Sequence, residues 1–266
     1  MPVERVTLID LPLIEAMQPS DWKGVADHYR YYLEHDNCVA LKLTEDGAVM
    51  AVGALIYHQD SAWLAHIIVH PQHRGKGSGT IITQALIDQV DKAYFPVVYL
   101  MSTELGFPVY KKLGFVEEGK QLFYISDMKA FHKERHPNIV PVQTADYPAI
   151  FDIDHQCSGE IRTYRLLQHI DQALVYKVDD VVKGFYIKDM LEGPVVAIEQ
   201  DAGIALMHER MKDHTIAIVP EDNHVARSVL ETNNWKVYRS ARRMRLGAER
   251  SWNPLFLFNR FSGQIG

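Results

Sequence analysis

The sequence predicts an α/β protein of two tandem domains, each a mixed, mostly antiparallel twisted sheet flanked by helices. Three observations carry this. Apolar strand-like runs alternate with helix-like ones through the first half. The turn Glu45-Asp46-Gly47 joins two such runs as a hairpin. Beyond the polar stretch His132-Lys133-Glu134-Arg135-His136-Pro137-Asn138 the same order of elements begins again. The expected division is a first domain over 1–131, a linker over 132–138 and a second domain over 139–266.

In the first half, Val3–Ile9 reads as a strand, Leu11–Met17 as a helix, and Trp22–His35 as a helix capped by Ser20-Asp21. Val39–Thr44 and Val49–Tyr57 form the hairpin. A strand from Trp63, a Gly-rich turn, a helix from Thr80, a strand at Val97–Met101, a helix ending at Gly114 and a closing strand at Gln121–Met128 follow.

Length and composition fit two folded cores: 266 residues, 47% hydrophobic and 23% charged. Only Cys38 and Cys157 are present, one in each half, so a disulfide framework is not expected. Met1–Asp10 is charged and strand-like rather than a targeting signal, and no apolar run reaches the ~20 residues of a membrane span. These features predict a cytoplasmic protein with no membrane partner. The formal charge of −6 disfavours nucleic acid and tolerates a cationic substrate.

The most telling segment is Arg74-Gly75-Lys76-Gly77-Ser78-Gly79, between the strand Trp63–Val69 and a helix opening at Thr80. Glycines let a backbone approach phosphate oxygens, and a helix N-terminus adds unpaired N–H donors and a positive dipole end. The segment therefore reads as an anion cradle. Its spacing is that of neither a P-loop nor a dinucleotide fingerprint.

Read as Arg-x-x-Gly-x-Gly, with the approach Val69-His70-Pro71-Gln72-His73-Arg74, it resembles the pyrophosphate-binding signature of the GNAT family of acetyl-CoA-dependent N-acyltransferases. Downstream, Tyr110-Lys111-Lys112-Leu113-Gly114-Phe115 is similar to that family's helix beneath the acetyl thioester. The resemblance covers residues 1 to about 130. It implies acetyl-CoA as co-substrate, held by Ile67, Ile68, Val69, Arg74, Gly75, Lys76, Gly77, Ser78, Gly79 and Thr80. It also implies that Tyr110 contacts the sulfur and protonates the departing thiolate. The implied reaction is direct transfer of an acetyl group to a primary amine. A second domain over 139–266 acting as a substrate-specificity wall would narrow access and so favour a small-molecule acceptor. The alternatives are a CoA-binding sensor without turnover and an interaction module.

A transfer of this kind needs a proton acceptor for the amine. His66 titrates in the right range, but strict alternation puts it on the face opposite Trp63, Ala65 and Ile67 unless a bulge re-aims it. Glu104, just past the Val97 strand, is the other candidate, or else a cap for the next helix. Trp63 is a candidate acceptor contact. No metal is expected: His66, His70 and His73 lie on a strand entering a turn, and His132 and His136 lack a third ligand.

The second half reads as a copy without the chemistry. Phe115 corresponds to Trp235, Gly114 to Asn234, and Tyr110 to Leu230, which cannot donate a proton. Where the cradle should fall stands Val195-Val196-Ala197-Ile198-Glu199-Gln200-Asp201-Ala202-Gly203, whose carboxylates would repel a pyrophosphate. The half resembles the degenerate C-terminal domain of a tandem GNAT subgroup. Asp154 and Arg162 match that subgroup's Asp…Gly-x-x-Arg pattern, and are either substrate-orienting or a capping ion pair. The apolar tail Trp252–Phe258 is read as a lid, a completing strand or a homodimer contact, with core packing favoured.

Overall fold

The computed structural model describes residues 1–22, 24–127 and 131–265. Two compact units emerge. The first comprises Met1–Glu117, Met244–Glu249 and Ile265, and the second comprises Glu118–Arg243 and Arg250–Gln264. This division differs from a cut at the polar linker, because the strand after Gly114 falls mainly in the second unit. The last residue expected of that strand, Met128, lies outside the described residues.

The first unit holds β1 (Val3–Arg5), α1 (Leu11–Met17), α2 (Val25–Glu34), β2 (Cys38–Glu45), β3 (Ala48–Tyr57), β4 (Ala62–Val69), α3 (Ser78–Ile87), β5 (Val97–Ser102) and α4 (Phe107–Lys112). Its strands lie in chain order, β1-β2-β3-β4-β5. Every pairing is antiparallel except β4 with β5. The first strand is shorter than expected, since Leu8–Asp10 winds into a 3-10 turn in which the Asp10 carboxylate accepts the N–H of Thr7. The second helix starts at Val25, later than expected, because Gly24 at φ 67° takes the left-handed cap position in place of Ser20-Asp21. Lys23, within the expected helix, lies outside the described residues.

The second unit takes most of β6 (Val116–Ile125), then β7 (Ile139–Pro141), α5 (Tyr147–Ser158), α6 (Thr163–Leu167), β8 (Ala173–Val178), β9 (Val181–Ile187), β10 (Val195–Ala197), α7 (Gln200–Arg210), β11 (Ile216–Pro220), α8 (His224–Thr232), most of β12 (Lys236–Gly247) and β13 (Leu257–Asn259). Five strands run in the order β13-β10-β9-β8-β7, and β6 lies between β12 and β11. The apolar tail completes the sheet, as β13 pairs antiparallel with β10.

Duplication is visible in the hydrogen bonds of each unit. Asp10 accepts the N–H of Thr7 and an ammonium proton from Lys42 at 2.8 Å. In the same way Asp146 accepts the N–H of Gln143 and pairs with Lys177 at 2.8 Å. After the later helices, the N–H of Phe115 returns to the carbonyl of Tyr110, and that of Trp235 to the carbonyl of Leu230, both at 3.0 Å. Gly114 and Asn234 are both left-handed, at φ 91° and 63°. Glycine carries that conformation freely and asparagine tolerates it.

The core of the first unit fixes the helix that follows the Gly-rich turn. Ile82 and Leu86 of α3 are fully buried with Leu43, Leu55 and Leu64. Gly53 of β3 makes this approach possible, since a Cβ there would lie 2.7 Å from Leu86 Cδ1 and 3.1 Å from Ile67 Cγ1. Gly53→Val should therefore displace α3 and destabilise the protein by about 1–3 kcal/mol. Chemical denaturation checks this, and an unchanged midpoint would show that α3 does not depend on the gap.

Candidate functional site

The strands β4 and β5 pair over Ala62–Leu64 against Val98–Leu100, and no described pairing continues the ladder. Beyond that point β4 runs on to the Gly-rich turn and β5 to the loop before α4. A parallel pair that parts in this way leaves backbone donors facing a gap.

At the end of β4, Pro71–His73 makes a 3-10 turn, and the Arg74 Nε–H donates to the carbonyl of Val69 at 3.3 Å. Gly75 and Gly77 are left-handed, at φ 74° and 88°, and a Cβ at either would meet nothing within 4 Å. Both glycines thus serve backbone conformation while their surroundings stay open. Ile81 makes the first bond of α3, to the carbonyl of Gly77. The N–H groups of Ser78, Gly79 and Thr80 consequently have no acceptor inside the helix. The Ser78 hydroxyl is buried without a hydrogen-bond partner among the described residues. Open left-handed glycines, unpaired helix N–H groups and a spare hydroxyl, flanked by the exposed cations Arg74 and Lys76, fit a pyrophosphate.

Tyr110 follows β5, on α4. It is buried in the core shared with Ile82 and Leu86, with its ring edge-on to Phe115 at 5.9 Å. Burial raises its phenol well above the ordinary tyrosine value, so the hydroxyl stays a proton donor at neutral pH. Glu104 lies in an exposed turn between β5 and α4. The helix is capped by Gly106, and the Thr103 hydroxyl, rather than Glu104, accepts the Gly106 N–H at 3.3 Å.

The expected alternation along β4 fails at His66. Between Ala65 and Ile68 the strand spends one residue more than β3 does between Ala54 and Val52. His66 itself has φ 43°, a left-handed conformation costing about 1–3 kcal/mol for a non-glycine residue. Leu64 and Ile67 consequently point into the same apolar cluster despite their odd spacing, while His66 turns to α2. There its Nδ1 is hydrogen-bonded to the Tyr32 hydroxyl at 2.8 Å, and its ring stacks on His28 at 4.7 Å. Burial, with a smaller contribution from the His28 charge, pushes its pKa down to about 3. The imidazole is neutral at physiological pH. The clamp on the bulge was not legible in the sequence, although Tyr29 and Tyr32 sit three apart, the spacing that puts two side chains on one helix face.

Trp63 is fully buried against Tyr99 at 5.2 Å, with Val97 beside it. It is part of the interior and presents no surface to a ligand. In the second unit Asp154 and Arg162 form a buried two-pronged ion pair at 2.9 and 2.8 Å. They line a cleft of about 140 Å³ with Phe151, His155, Glu160 and Leu166. The counterpart of the cradle is a plain strand-to-helix step, with Glu199 as the cap of α7 and Asp201 in its first turn. Among the described residues no helix is long and apolar enough to cross a membrane.

Residues 28–117 match the acetyltransferase (GNAT) domain family. The match takes in the strand before the Gly-rich turn, the turn itself and the helix carrying Tyr110. No curated protein matches the chain. Three solved structures share its fold at low identity. A candidate acetyltransferase of Pyrococcus horikoshii is 19% identical with a TM-score of 0.81, over 100% of this chain and 95% of its own. A GCN5-related N-acetyltransferase from Sphaerobacter thermophilus is 15% identical with a TM-score of 0.65, over 95% and 98% of the two chains. A fungal GCN5-related glucosamine N-acetyltransferase region, part of a multi-domain β-N-acetylglucosaminidase, is 14% identical with a TM-score of 0.68. That match spans 92% of this chain and 38% of the fungal one. The fold shared with these structures spans both halves of the chain, while the family match is confined to the first.

The depressed pKa of His66 gives the first unit a pH signature. Between the ordinary histidine value of 6.5 and about 3, the unfolded chain binds a proton at His66 that the native state does not. Stability should therefore fall as pH drops through this window, by up to about 1.4 kcal/mol per pH unit. His66→Asn, which tolerates the left-handed backbone, should remove that slope. Denaturant midpoints from pH 4 to 7 test this, and parallel curves for the two proteins would refute the assignment.

Proposed function

We propose that the chain transfers an acetyl group from acetyl-CoA to a primary amine of a small molecule, using the first unit alone for the chemistry. The observation that carries this is the placement of two elements at the ends of a parting strand pair. The cradle follows β4, and the buried phenol of Tyr110 follows β5. When bound, acetyl-CoA supplies an activated acyl thioester.

The N–H groups of Gly75–Thr80 and the Ser78 hydroxyl would hold the pyrophosphate, with Arg74 and Lys76 adding charge. Backbone N–H groups of Ile67–Val69 would hold the acyl carbonyl oxygen. The acceptor nitrogen attacks the carbonyl carbon, so that a C–N bond forms as the C–S bond breaks. Tyr110 delivers a proton to the departing sulfur, where its high pKa ensures that it arrives protonated. The surplus proton of the amine needs another acceptor. An imidazole with a pKa near 3 holds a proton poorly, which disfavours His66 in that role and leaves the exposed carboxylate Glu104.

A small-molecule acceptor is supported by fold likeness to the fungal glucosamine N-acetyltransferase region. The second unit lacks both cradle and tyrosine, so its proposed part is acceptor specificity rather than acetyl-CoA binding. Asp154 and Arg162 are the polar residues proposed to serve an acceptor there.

Two variants separate the possibilities. Tyr110→Phe should lower kcat for amine-dependent thiol release about 10- to 100-fold while leaving acetyl-CoA affinity within twofold, as measured by titration calorimetry. A binder without turnover would release no thiol with any amine in a panel of amino acids, polyamines, amino sugars and lysine peptides. Gly77→Asp adds a side chain at a left-handed position and a negative charge to the cradle, and should weaken acetyl-CoA binding at least tenfold. Unchanged binding would place the cofactor elsewhere.

A further inference from the structure

The bulge at His66 raises a question that the transfer chemistry leaves open: what holds a non-glycine residue left-handed where β4 leaves β5? Two tyrosines of α2 reach it. The Tyr29 hydroxyl donates to the backbone carbonyl of His66 at 2.9 Å, and the Tyr32 hydroxyl bonds its Nδ1 at 2.8 Å. Both tyrosines are buried, at 0% and 3% exposure, so their hydroxyls meet little competition from water. Their rings pack edge-on at 5.5 Å, and Trp22 closes on the imidazole at 5.5 Å from another side. One residue is thus gripped at its carbonyl and at its ring, so both its backbone torsion and its imidazole are set from α2.

We propose that Tyr29 and Tyr32 are positioning residues that lock the His66 bulge and thereby aim the backbone N–H groups of Ile67–Val69 into the gap between β4 and β5. The inference rests on the acetyl-transfer reading for its consequence, and on the clamp geometry for its substance. A regular β4 would direct those N–H groups in strict alternation toward its neighbours. The extra residue resets the phase of the strand two residues past the end of the β4–β5 ladder. Neither tyrosine needs to touch a substrate. Their effect passes through the peptide that they hold.

Glycine adopts a left-handed torsion without help, so His66→Gly makes the clamp unnecessary. That gives a test in which the clamp is removed in two backgrounds. Tyr29→Phe and Tyr32→Phe should each lower kcat about five- to twentyfold in the parent protein, with the dissociation constant for acetyl-CoA unchanged within twofold. In the His66→Gly background each should lower kcat by less than twofold. Hydrogen–deuterium exchange of the protein without acetyl-CoA gives a readout independent of turnover. The peptide covering 65–70 should exchange at least fivefold faster in Tyr29→Phe than in the parent, with other strands of the first unit unaffected.

Equal losses of kcat in both backgrounds would overturn the proposal, because the tyrosines would then act on the reaction directly. So would unaltered exchange at 65–70, or a His66→Gly protein that folds and binds acetyl-CoA but is inactive. A parent protein that releases no thiol with any amine would overturn the transfer reading instead, and the exchange measurement would still decide whether the clamp exists.

Discussion

The first unit depends on a single constraint: two parallel strands that pair for three residues and then part. Everything proposed for the chemistry hangs from that fork. One prong ends in a glycine turn and a helix N-terminus, the other in a short helix carrying a buried phenol. The apolar core joins the prongs, because Ile82 and Leu86 of the first helix and Tyr110 of the second share one cluster. Dispersion and apolar burial therefore set the spacing between an anion site and a proton donor, although neither group is apolar in its task.

The cost of the fork is paid by backbone that cannot complete a sheet. Past Leu64 no described pairing joins β4 to β5, and the residue at the transition sits in a strained conformation. Strain of this size persists only where neighbours over-determine it. Here the neighbours are the hydroxyls of α2, and the same burial that shields those bonds also lowers the proton affinity of the imidazole. Order at the bulge and weak basicity at His66 have one physical origin.

The sequence revealed the fold more fully than the site. Hairpins, the cradle and the duplicated helix stop at Asn234 are local, and their residues report their own conformation. The Gly-rich turn could be read because glycine at a left-handed position is close to obligatory. The bulge could not be read, because nothing in Trp63–Val69 says that β3 runs one residue short opposite His66. Trp63 misled for a related reason: an aromatic side chain on the expected face is equally at home inside, and Tyr99 claims it there. That β6 belongs mainly to the second unit, paired with β11, was also illegible, since pairing over such distances leaves no local trace.

The second unit kept the duplicated ion pair of Lys177 with Asp146 and the helix stop at Asn234, yet filled the place where a fork could open. Its strand β10 is paired along one edge by β13, drawn from the end of the chain. Behind it, Gly203 of α7 lies so close to Phe258 that a Cβ would overlap the ring at 2.1 Å. Restoring a glycine turn at Glu199–Gly203 would leave the slot plugged by the chain's own terminus. A cradle here would need the ring of Phe258 moved as well as glycines restored, so the two halves differ in packing as much as in loop residues.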